Sequence, residues 1–200
     1  VIASIGGQDL FLVSVPLRLY ALDPLTGQDI WFCDGLGKLS YTSPLPSEDV
    51  IIAMSGYHGP AIGVQPGGQG DVTATHRRWI HQEAPPQRVG SGIIVDGYAY
   101  ILNEPGIAWC IEVATGEVLW KHRLSPGPSW SSLCYADGRL YVNNMEGTTY
   151  VLEPVKPDTP ECIVLAKNEL GEPMRASLAF SQGQIFIRTF EHLYCVGSRE

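Results

Sequence analysis

A thirteen-residue motif that occurs twice constrains the fold of this chain more than any other feature. Its first copy spans residues 19–31 and its second spans residues 108–120. Each copy contains a short apolar strand, an acidic residue, a Thr-Gly turn and a second strand that ends in tryptophan. Internal similarity with a period of about 40 to 50 residues is typical of propellers and solenoids. The chain is therefore predicted to be a series of small β units.

Two series of landmark residues test this repeat. Trp31, Trp79 and Trp120 are 48 and 41 residues apart, and Leu165 stands 45 residues later, where a fourth tryptophan is expected. The second series has the same separations and consists of Ser43, Ser91, Ser132 and Ser177. Because both series share three irregular intervals, the similarity indicates a true structural repeat.

The third unit shows what one repeat contains. Two apolar runs, 93–95 and 98–102, flank Asp96-Gly97, and such a dipeptide is a strong signal for a tight hairpin. Two further strands follow at 109–112 and 118–121, and no window shows the spacing of an amphipathic helix. Four antiparallel strands per repeat predict an all-β β-propeller. About five blades of a partial ring are expected, at residues 1–33, 40–81, 89–123, 130–167 and 175–197.

Small residues face the tryptophans in this alignment. Aligned on the Thr-Gly turn, the residues before the acidic position are Ala21, Gly63, Cys110, Val151 and Cys195. A large indole needs a small residue to lie against, so Trp31 and Trp120 are expected to be buried against small residues of adjacent sheets. Cys110 and Cys195 are then expected to be unpaired and slow to react, whereas Cys33 and Cys162 are expected to be more exposed. Insertions are predicted at 66–70 and 154–160.

The motif resembles the docking pattern A-x-D-x-x-T-G-x-x-x-W of the pyrroloquinoline-quinone (PQQ) type of propeller repeat. The first copy matches every fixed position with Ala21, Asp23, Thr26, Gly27 and Trp31. The second copy has Cys110 in place of alanine and Glu112 in place of aspartate, and it keeps Thr115, Gly116 and Trp120. The repeat that contains Trp79 matches the pattern loosely. Similar repeats occur in quinoprotein dehydrogenases and in the propeller lipoprotein of the outer-membrane barrel-assembly machinery. Propellers of this family usually resemble eight-bladed rings, whereas about five blades are expected here. The resemblance therefore implies that the chain is the C-terminal part of a longer bacterial protein. The alternative is that the chain forms a small complete ring.

Charge and apolar content exclude two classes of partner. The formal net charge is −8 and no basic stripe occurs, which opposes binding to a nucleic-acid backbone. No apolar run approaches the 18 or so residues of a membrane-spanning helix. The five cysteines include no CxxC pair, so neither a zinc site nor a dense disulfide framework is predicted.

Catalytic and metal-binding patterns are weak. A quinoprotein dehydrogenase would need PQQ and Ca²⁺, and the isolated candidates for such a site are Asp137, Glu104, Asn143 and Asn144. Asp137 lies in a predicted hairpin turn, and the adjacent cysteine pair of the family's dehydrogenases does not occur. His76 and His81 are expected on opposite faces of one strand. No cofactor, metal site or catalytic constellation is therefore expected, and a PQQ- and Ca²⁺-dependent oxidoreductase is the alternative.

Position in the blade suggests a binding surface instead. Tyr41, Val89, Trp130 and Arg175 each stand two residues before a landmark serine, and other candidates lie in loops between the second and third strands. The predicted surface consists of Tyr41, Tyr57, His58, Glu104, Trp130, Asn144, Arg175 and His192. Aromatic residues and arginine favour recognition surfaces; alternatively, Tyr41 and Trp130 fill the tunnel of the ring.

The function expected from these features is that of a non-catalytic scaffold outside the cytoplasm. Its partner is expected to be another protein or the rest of the parent propeller. A homodimer in which the terminal blades of two open arcs cover each other is a further possibility that the sequence leaves open, because an uncovered apolar sheet face is costly.

Overall fold

The chain is built almost entirely from β-strands, as predicted. The computed structural model describes residues 1–82, 87–156 and 160–197, and these residues form nineteen strands and one helical turn. They divide into two compact units. The first unit contains Val1–Arg88 and Glu112–Glu117, and the second contains Val89–Ile111 and the residues from Val118 onward.

The first unit contains two sheets. Its elements are β1 (Ile2–Ile5), β2 (Gln8–Val15), β3 (Arg18–Leu22), β4 (Asp29–Asp34), β5 (Ile51–Met54), β6 (Ala61–Val64), β7 (Gly70–Asp71), α1 (Thr73–His76) and β8 (Arg77–His81). The sheet orders are β1-β2-β3-β4-β7 and β5-β6-β8. A single bridge between Leu45 and Ile52 adds to the edge of the second sheet beside β5, and the prolines on both sides of Leu45 are tolerated at such an edge.

The predicted insertion at 66–70 leads into an irregular connection. Strand β7 adds to the first sheet in parallel with β4, and α1 follows it. Val72 precedes the helical turn without a side-chain cap, while the carboxylate of Asp71 accepts a hydrogen bond at 2.9 Å from the backbone N–H of Thr73, the first residue of the turn. His76 ends this turn, so it does not share a strand with His81 as predicted. The predicted strand was wrong here because one four-residue turn has too few residues to show a helical period.

The second unit contains three sheets. Its strands are β9 (Ile93–Val95), β10 (Tyr98–Asn103), β11 (Ile107–Glu112), β12 (Val118–Arg123), β13 (Cys134–Ala136), β14 (Arg139–Asn143), β15 (Thr148–Glu153), β16 (Ile163–Glu169), β17 (Ala179–Ser181), β18 (Gln184–Arg188) and β19 (Leu193–Val196). The sheet orders are β12-β11-β10-β9, β13-β14-β15-β16 and β17-β18-β19. The first two sheets have the predicted four strands of a blade.

Tight turns join the first two strands of the sheets in the second unit, which confirms the predicted Asp-Gly hairpins. Asp96 and Gly97 have φ values of 50° and 81°, and Asp137 and Gly138 have 48° and 70°. Gln182 adopts the same left-handed conformation, with φ 50°. Two successive residues with positive φ match the twist of the strands, which explains why asparagine, aspartate and glycine predominate at such turns.

A β-bulge follows the small residue of four sheets. The residues opposite one another just before the bulge are Ala21 and Trp31, Gly63 and Trp79, Cys110 and Trp120, and Val151 and Ala166. Ala166 therefore takes the position of a fourth tryptophan, and the expectation of Leu165 was wrong by one residue. Leu165 lies in the bulge and is 47% exposed. The insertion before β16 hides this shift from an alignment of spacings.

Trp79 shows how an indole docks in the first unit. A β-carbon added to Gly63 would lie 2.2 Å from its Cε2 atom, and one added to Gly116 would lie 2.6 Å from its Cδ2 atom. The indole is thus in direct contact with both glycine backbones. Its Nε1–H donates to the Val113 carbonyl oxygen at 2.9 Å, so the buried polar atom is satisfied.

The acidic residue and the threonine of the motif stabilise the Thr-Gly turn. The Asp23 carboxylate accepts hydrogen bonds from the backbone N–H groups of Leu25 and Thr26, both at 2.8 Å, and these bonds lower its pKa. Glu112 has a longer side chain and accepts instead from the Thr115 hydroxyl. Aspartate and glutamate are therefore interchangeable in this motif because each reaches a donor of the same turn.

Trp31 and Trp120 differ in burial. Trp31 is 1% exposed and lies in the core of the first unit with Leu12 and Leu19. Trp120 is only partly buried, and its Nε1–H has no hydrogen-bond partner among the described residues. The fourth repeat carries the proline-rich insertion where the first and third repeats have Thr-Gly, and residues 157–159 of that insertion lie outside the described part of the chain.

Burial of the cysteines departs from expectation at two positions. Cys110 is 0% exposed, as expected, and burial raises its thiol pKa to about 12. Cys33 is also 0% exposed rather than accessible, because it lies on the core face of β4. Cys195 is exposed, since no described strand lies beyond β19 to cover it. Cys162 is half-buried.

We expect Trp31→Ala to lower the free energy of unfolding by about 3–5 kcal/mol, because it removes a fully buried indole. Trp130→Ala is the matched control and should change it by no more than about 0.5 kcal/mol, since its side chain is exposed. Urea unfolding followed by circular dichroism measures both values. Equal effects of the two substitutions would contradict the assignment of Trp31 to the core.

We expect Gly63→Ala to cost about 1–3 kcal/mol by overpacking, because its new methyl group would clash with Trp79. The backbone of Gly63 does not have a positive φ, so conformational strain does not contribute. In a Trp79→Ala background the same substitution should cost much less. A double-mutant cycle measured by urea unfolding tests this coupling, and additive effects would exclude the docking contact.

We expect native-state labelling with an aromatic disulfide reagent at pH 8 to modify Cys195 within minutes and Cys110 only after unfolding. The thiolate is the reactive form, and Cys110 is both buried and shifted to a high pKa. Mass spectrometry of tryptic peptides measures the two rates. Comparable rates at both cysteines would contradict the observed burial.

Candidate protein-binding surface

Trp130 is directed outward by the two serines that flank it. Ser129 and Ser131 are both 2% exposed, and each hydroxyl donates to the Asn143 carbonyl oxygen at 2.7 Å. Successive residues of an extended segment point to opposite sides, so the indole between them faces away from this carbonyl. Trp130 is 42% exposed. Its Nε1–H donates to the Glu104 carboxylate at 2.7 Å, which fixes the orientation of the ring.

Arg175 lies between two exposed aromatic rings. Its guanidinium carbon is 4.7 Å from the ring centroid of Trp130 and 5.3 Å from that of Phe190. Cation–π contacts of this geometry hold a guanidinium in place while leaving its N–H groups at the edge. No ion pair or hydrogen bond of the Arg175 side chain occurs among the described residues.

These four residues form one continuous row in the second unit, which we call the aromatic–arginine surface (Glu104, Trp130, Arg175 and Phe190). They come from the loops that follow β10 and β18 and from the segments that precede β13 and β17. Phe190, which is 64% exposed, was not among the predicted site residues. Its position two residues before His192, in a loop between the second and third strands of its sheet, was the available signal.

A hydrogen-bonded series of serines explains why Trp130 and Arg175 meet. The backbone N–H of Ser91 donates to the Ser132 hydroxyl at 3.0 Å, and that of Ser132 donates to the Ser177 hydroxyl at 2.8 Å. The landmark serines of consecutive repeats are therefore in register. Residues two positions before each serine are brought together by the same register.

The other predicted residues of this unit have different environments. Asn144 is 1% exposed, and its side chain bonds to the Ser125 hydroxyl and to the backbone N–H groups of Glu146 and Thr148. It closes a loop inside the blade and does not contribute to an exposed surface. His192 is exposed, and its Nδ1 atom lies 3.0 Å from the Glu172 carboxylate.

The remaining predicted residues form a separate patch in the first unit. Tyr41 is 50% exposed and its ring packs against Gly56, where a β-carbon would lie 2.2 Å from the ring. Tyr57 is 55% exposed and contacts His58 edge-to-face at 4.7 Å between ring centroids. These aromatic side chains are accessible in this unit, but no cation is stacked on them among the described residues.

The residues considered for Ca²⁺ and PQQ do not fit a common ligand set. Asp137 lies at the exposed tip of a hairpin, Glu104 is engaged by Trp130, and Asn144 has its amide bonded within the blade. Neither Asp137 nor Glu104 belongs to a group of three or more converging His, Cys, Asp or Glu side chains among the described residues.

Comparison with known proteins identifies the repeat. The family model described as outer membrane protein assembly factor BamB, a PQQ-type propeller repeat, matches residues 18–156. No curated protein sequence is significantly similar to the chain. No helix in the described ranges combines the length and the apolar character needed to cross a membrane.

Solved structures show the same fold. BamB from Moraxella catarrhalis superposes with a TM-score of 0.72 at 11% identity, over 98% of this chain and 56% of that chain. The computationally designed protein Ika4 gives 0.66 at 12% identity, over 86% of this chain and 99% of that chain. The propeller domain of Cps50 (Swd1) from Myceliophteria thermophila gives 0.67 at 12% identity, over 93% and 65%.

These similarities confirm the β-propeller prediction. The chain spans little more than half the length of the Moraxella catarrhalis protein. Identities of 11–12% establish the fold alone, whereas the sequence model covers more than two thirds of the chain. The chain belongs to the PQQ-type propeller family described as outer membrane protein assembly factor BamB.

Proposed function

We propose that this chain is a non-catalytic scaffold that binds a protein partner through the aromatic–arginine surface, outside the cytoplasm. The observation that carries the proposal is the Arg175 guanidinium, held between two exposed aromatic rings and without a carboxylate partner among the described residues. Tryptophan and arginine are the residues that most often dominate the free energy of protein association.

The preorganisation of this surface supports binding. Trp130 is held by Glu104, and Arg175 is held by Trp130 and Phe190, so these side chains lose little rotamer freedom on association. The partner that fits presents a carboxylate to the guanidinium N–H groups and apolar side chains to the two rings. A bidentate arginine–carboxylate pair is both strong and geometrically specific.

Family membership supports the class of function and its location. The family is described as an assembly factor of outer membrane proteins, which is a protein-interaction role at the cell envelope. The net charge of −8 is also more compatible with a protein partner than with nucleic acid. The oxidoreductase alternative lacks a corresponding observation, because Asp137 lies in a hairpin turn and Glu104 accepts a hydrogen bond from Trp130.

A photo-reactive phenylalanine analogue at position 190 tests the proposal in the whole protein, expressed in its source cells. We expect it to cross-link to a protein in the extracytoplasmic fraction. The same analogue at Tyr135, another exposed aromatic residue of this unit, should give no such product. Trp130→Ala or Arg175→Ala should each weaken capture roughly 30-fold, as expected for a hot-spot residue worth about 2 kcal/mol.

Controls separate binding from folding. The unfolding midpoints of the Trp130→Ala and Arg175→Ala proteins should match the unaltered chain, because both side chains are exposed. Cross-linking that is equal at positions 190 and 135, or that persists unchanged in both alanine variants, would refute the proposed surface.

A further inference from the structure

Three side chains of metal-ligand type converge beside the loop that joins β18 to β19. Glu172, Glu191 and His192 each offer one ligand atom, and these atoms all lie within 4.8 Å of one another. We propose that Glu172, Glu191 and His192 form a binding site for a divalent transition-metal ion of the zinc class. This site does not depend on the proposed protein-binding function.

The loop is built to keep two of the ligands together. Thr189 is 4% exposed, and its hydroxyl oxygen accepts hydrogen bonds from the backbone N–H groups of Glu191, at 3.3 Å, and His192, at 2.9 Å. The Thr189 N–H in turn donates to the His192 carbonyl oxygen at 2.9 Å. The backbone positions of Glu191 and His192 are therefore set by the fold before any ion binds.

The third ligand, Glu172, is oriented by neutral donors. The Thr189 hydroxyl lies 2.7 Å from one carboxylate oxygen of Glu172, and the Tyr194 hydroxyl donates to the other. The Glu172 carboxylate is thus held by two hydrogen bonds that do not involve His192. Hydrogen bonds of this kind commonly orient the carboxylates that bind a metal ion.

The chemistry of the donors selects the class of ion. One imidazole nitrogen with two carboxylate oxygens suits zinc, nickel or copper, whereas Ca²⁺ and Mg²⁺ prefer sites made of oxygen alone. The two carboxylates also match the charge of a divalent ion. No hydrogen bond or ion pair uses the Glu191 carboxylate among the described residues, so its lone pairs are available to an ion.

Binding requires one exchange at His192. In the metal-free protein its Nδ1 atom lies 3.0 and 3.1 Å from the two oxygens of Glu172. An ion bound at Nδ1 takes the place of the proton between this nitrogen and the carboxylate, and the neutral imidazole then carries its one ring proton on Nε2. Water supplies the remaining coordination positions, since His192 and Glu191 are exposed.

Zn²⁺ titrated into the whole chain by calorimetry at pH 7.5 tests the site, with Ni²⁺ as a second probe. The Cys195→Ser background is used, because this exposed thiol lies close in sequence and could itself bind zinc. We expect one equivalent to bind. Glu191→Gln and His192→Ala should each weaken binding at least about tenfold. Tyr194→Phe should weaken it by about 10-fold, because the Glu172 carboxylate loses the hydrogen bond from the Tyr194 hydroxyl.

Matched controls are Glu117→Gln and His122→Ala, which alter an exposed glutamate and an exposed histidine elsewhere and should leave the affinity unchanged. Glu191→Gln is the decisive variant, because the Glu191 side chain makes no contact on which the loop depends. Absence of binding at millimolar Zn²⁺ would overturn the proposal. Equal affinity of the Glu191→Gln and His192→Ala proteins and the unaltered chain would overturn it as well.

Discussion

The contact of a tryptophan with glycine backbone is the interaction on which the arrangement of the repeats depends. Trp79 lies against Gly63 of its own sheet and Gly116 of the following Thr-Gly turn, and donates to the Val113 carbonyl oxygen. An indole can approach two backbones this closely only where no β-carbon intervenes. The contact therefore combines burial of a large apolar surface with satisfaction of the indole N–H, and it specifies the turn against which the Trp79 side chain packs.

In the second unit, the alignment of consecutive repeats brings the candidate binding residues together. Hydrogen bonds between Ser91, Ser132 and Ser177 align the segments that lead into consecutive sheets. Trp130 and Arg175 stand at equivalent places relative to these serines, so alignment of the backbone stacks their side chains. The aromatic–arginine surface is thus a consequence of repetition, whereas its chemistry comes from residues that differ between repeats.

One loop links this surface to the proposed metal site. Phe190 contacts Arg175, while the next two residues, Glu191 and His192, face Glu172. The buried Thr189 hydroxyl holds the backbone of both neighbours. An ion at this site would restrain the loop that carries Phe190, because its ligands are adjacent to that residue in the chain.

The sequence by itself determined the repeat, the strand order within a blade and the position of the hairpins. These features depend on local rules: alternation of apolar residues, positive φ in two-residue turns, and a fixed spacing between Thr-Gly and tryptophan. The motif residues could also be identified, because each copy contains its own turn and the donors that hold it. Arg175 and Trp130 could be selected because they occupy equivalent positions in the repeat.

Only the tertiary structure decided which of the selected residues act together. Burial of Asn144 and Cys33, exposure of Cys195, and the bulge that places Ala166 opposite Val151 all depend on what lies across a sheet, which spacing along the chain does not reveal. Glu172 is separated by some twenty residues from His192, and neither belongs to a recognisable metal motif. Their convergence follows from the meeting of the loop before β17 with the loop after β18, which a hydrogen bond at 3.1 Å from the Phe190 N–H to the Pro173 carbonyl oxygen joins.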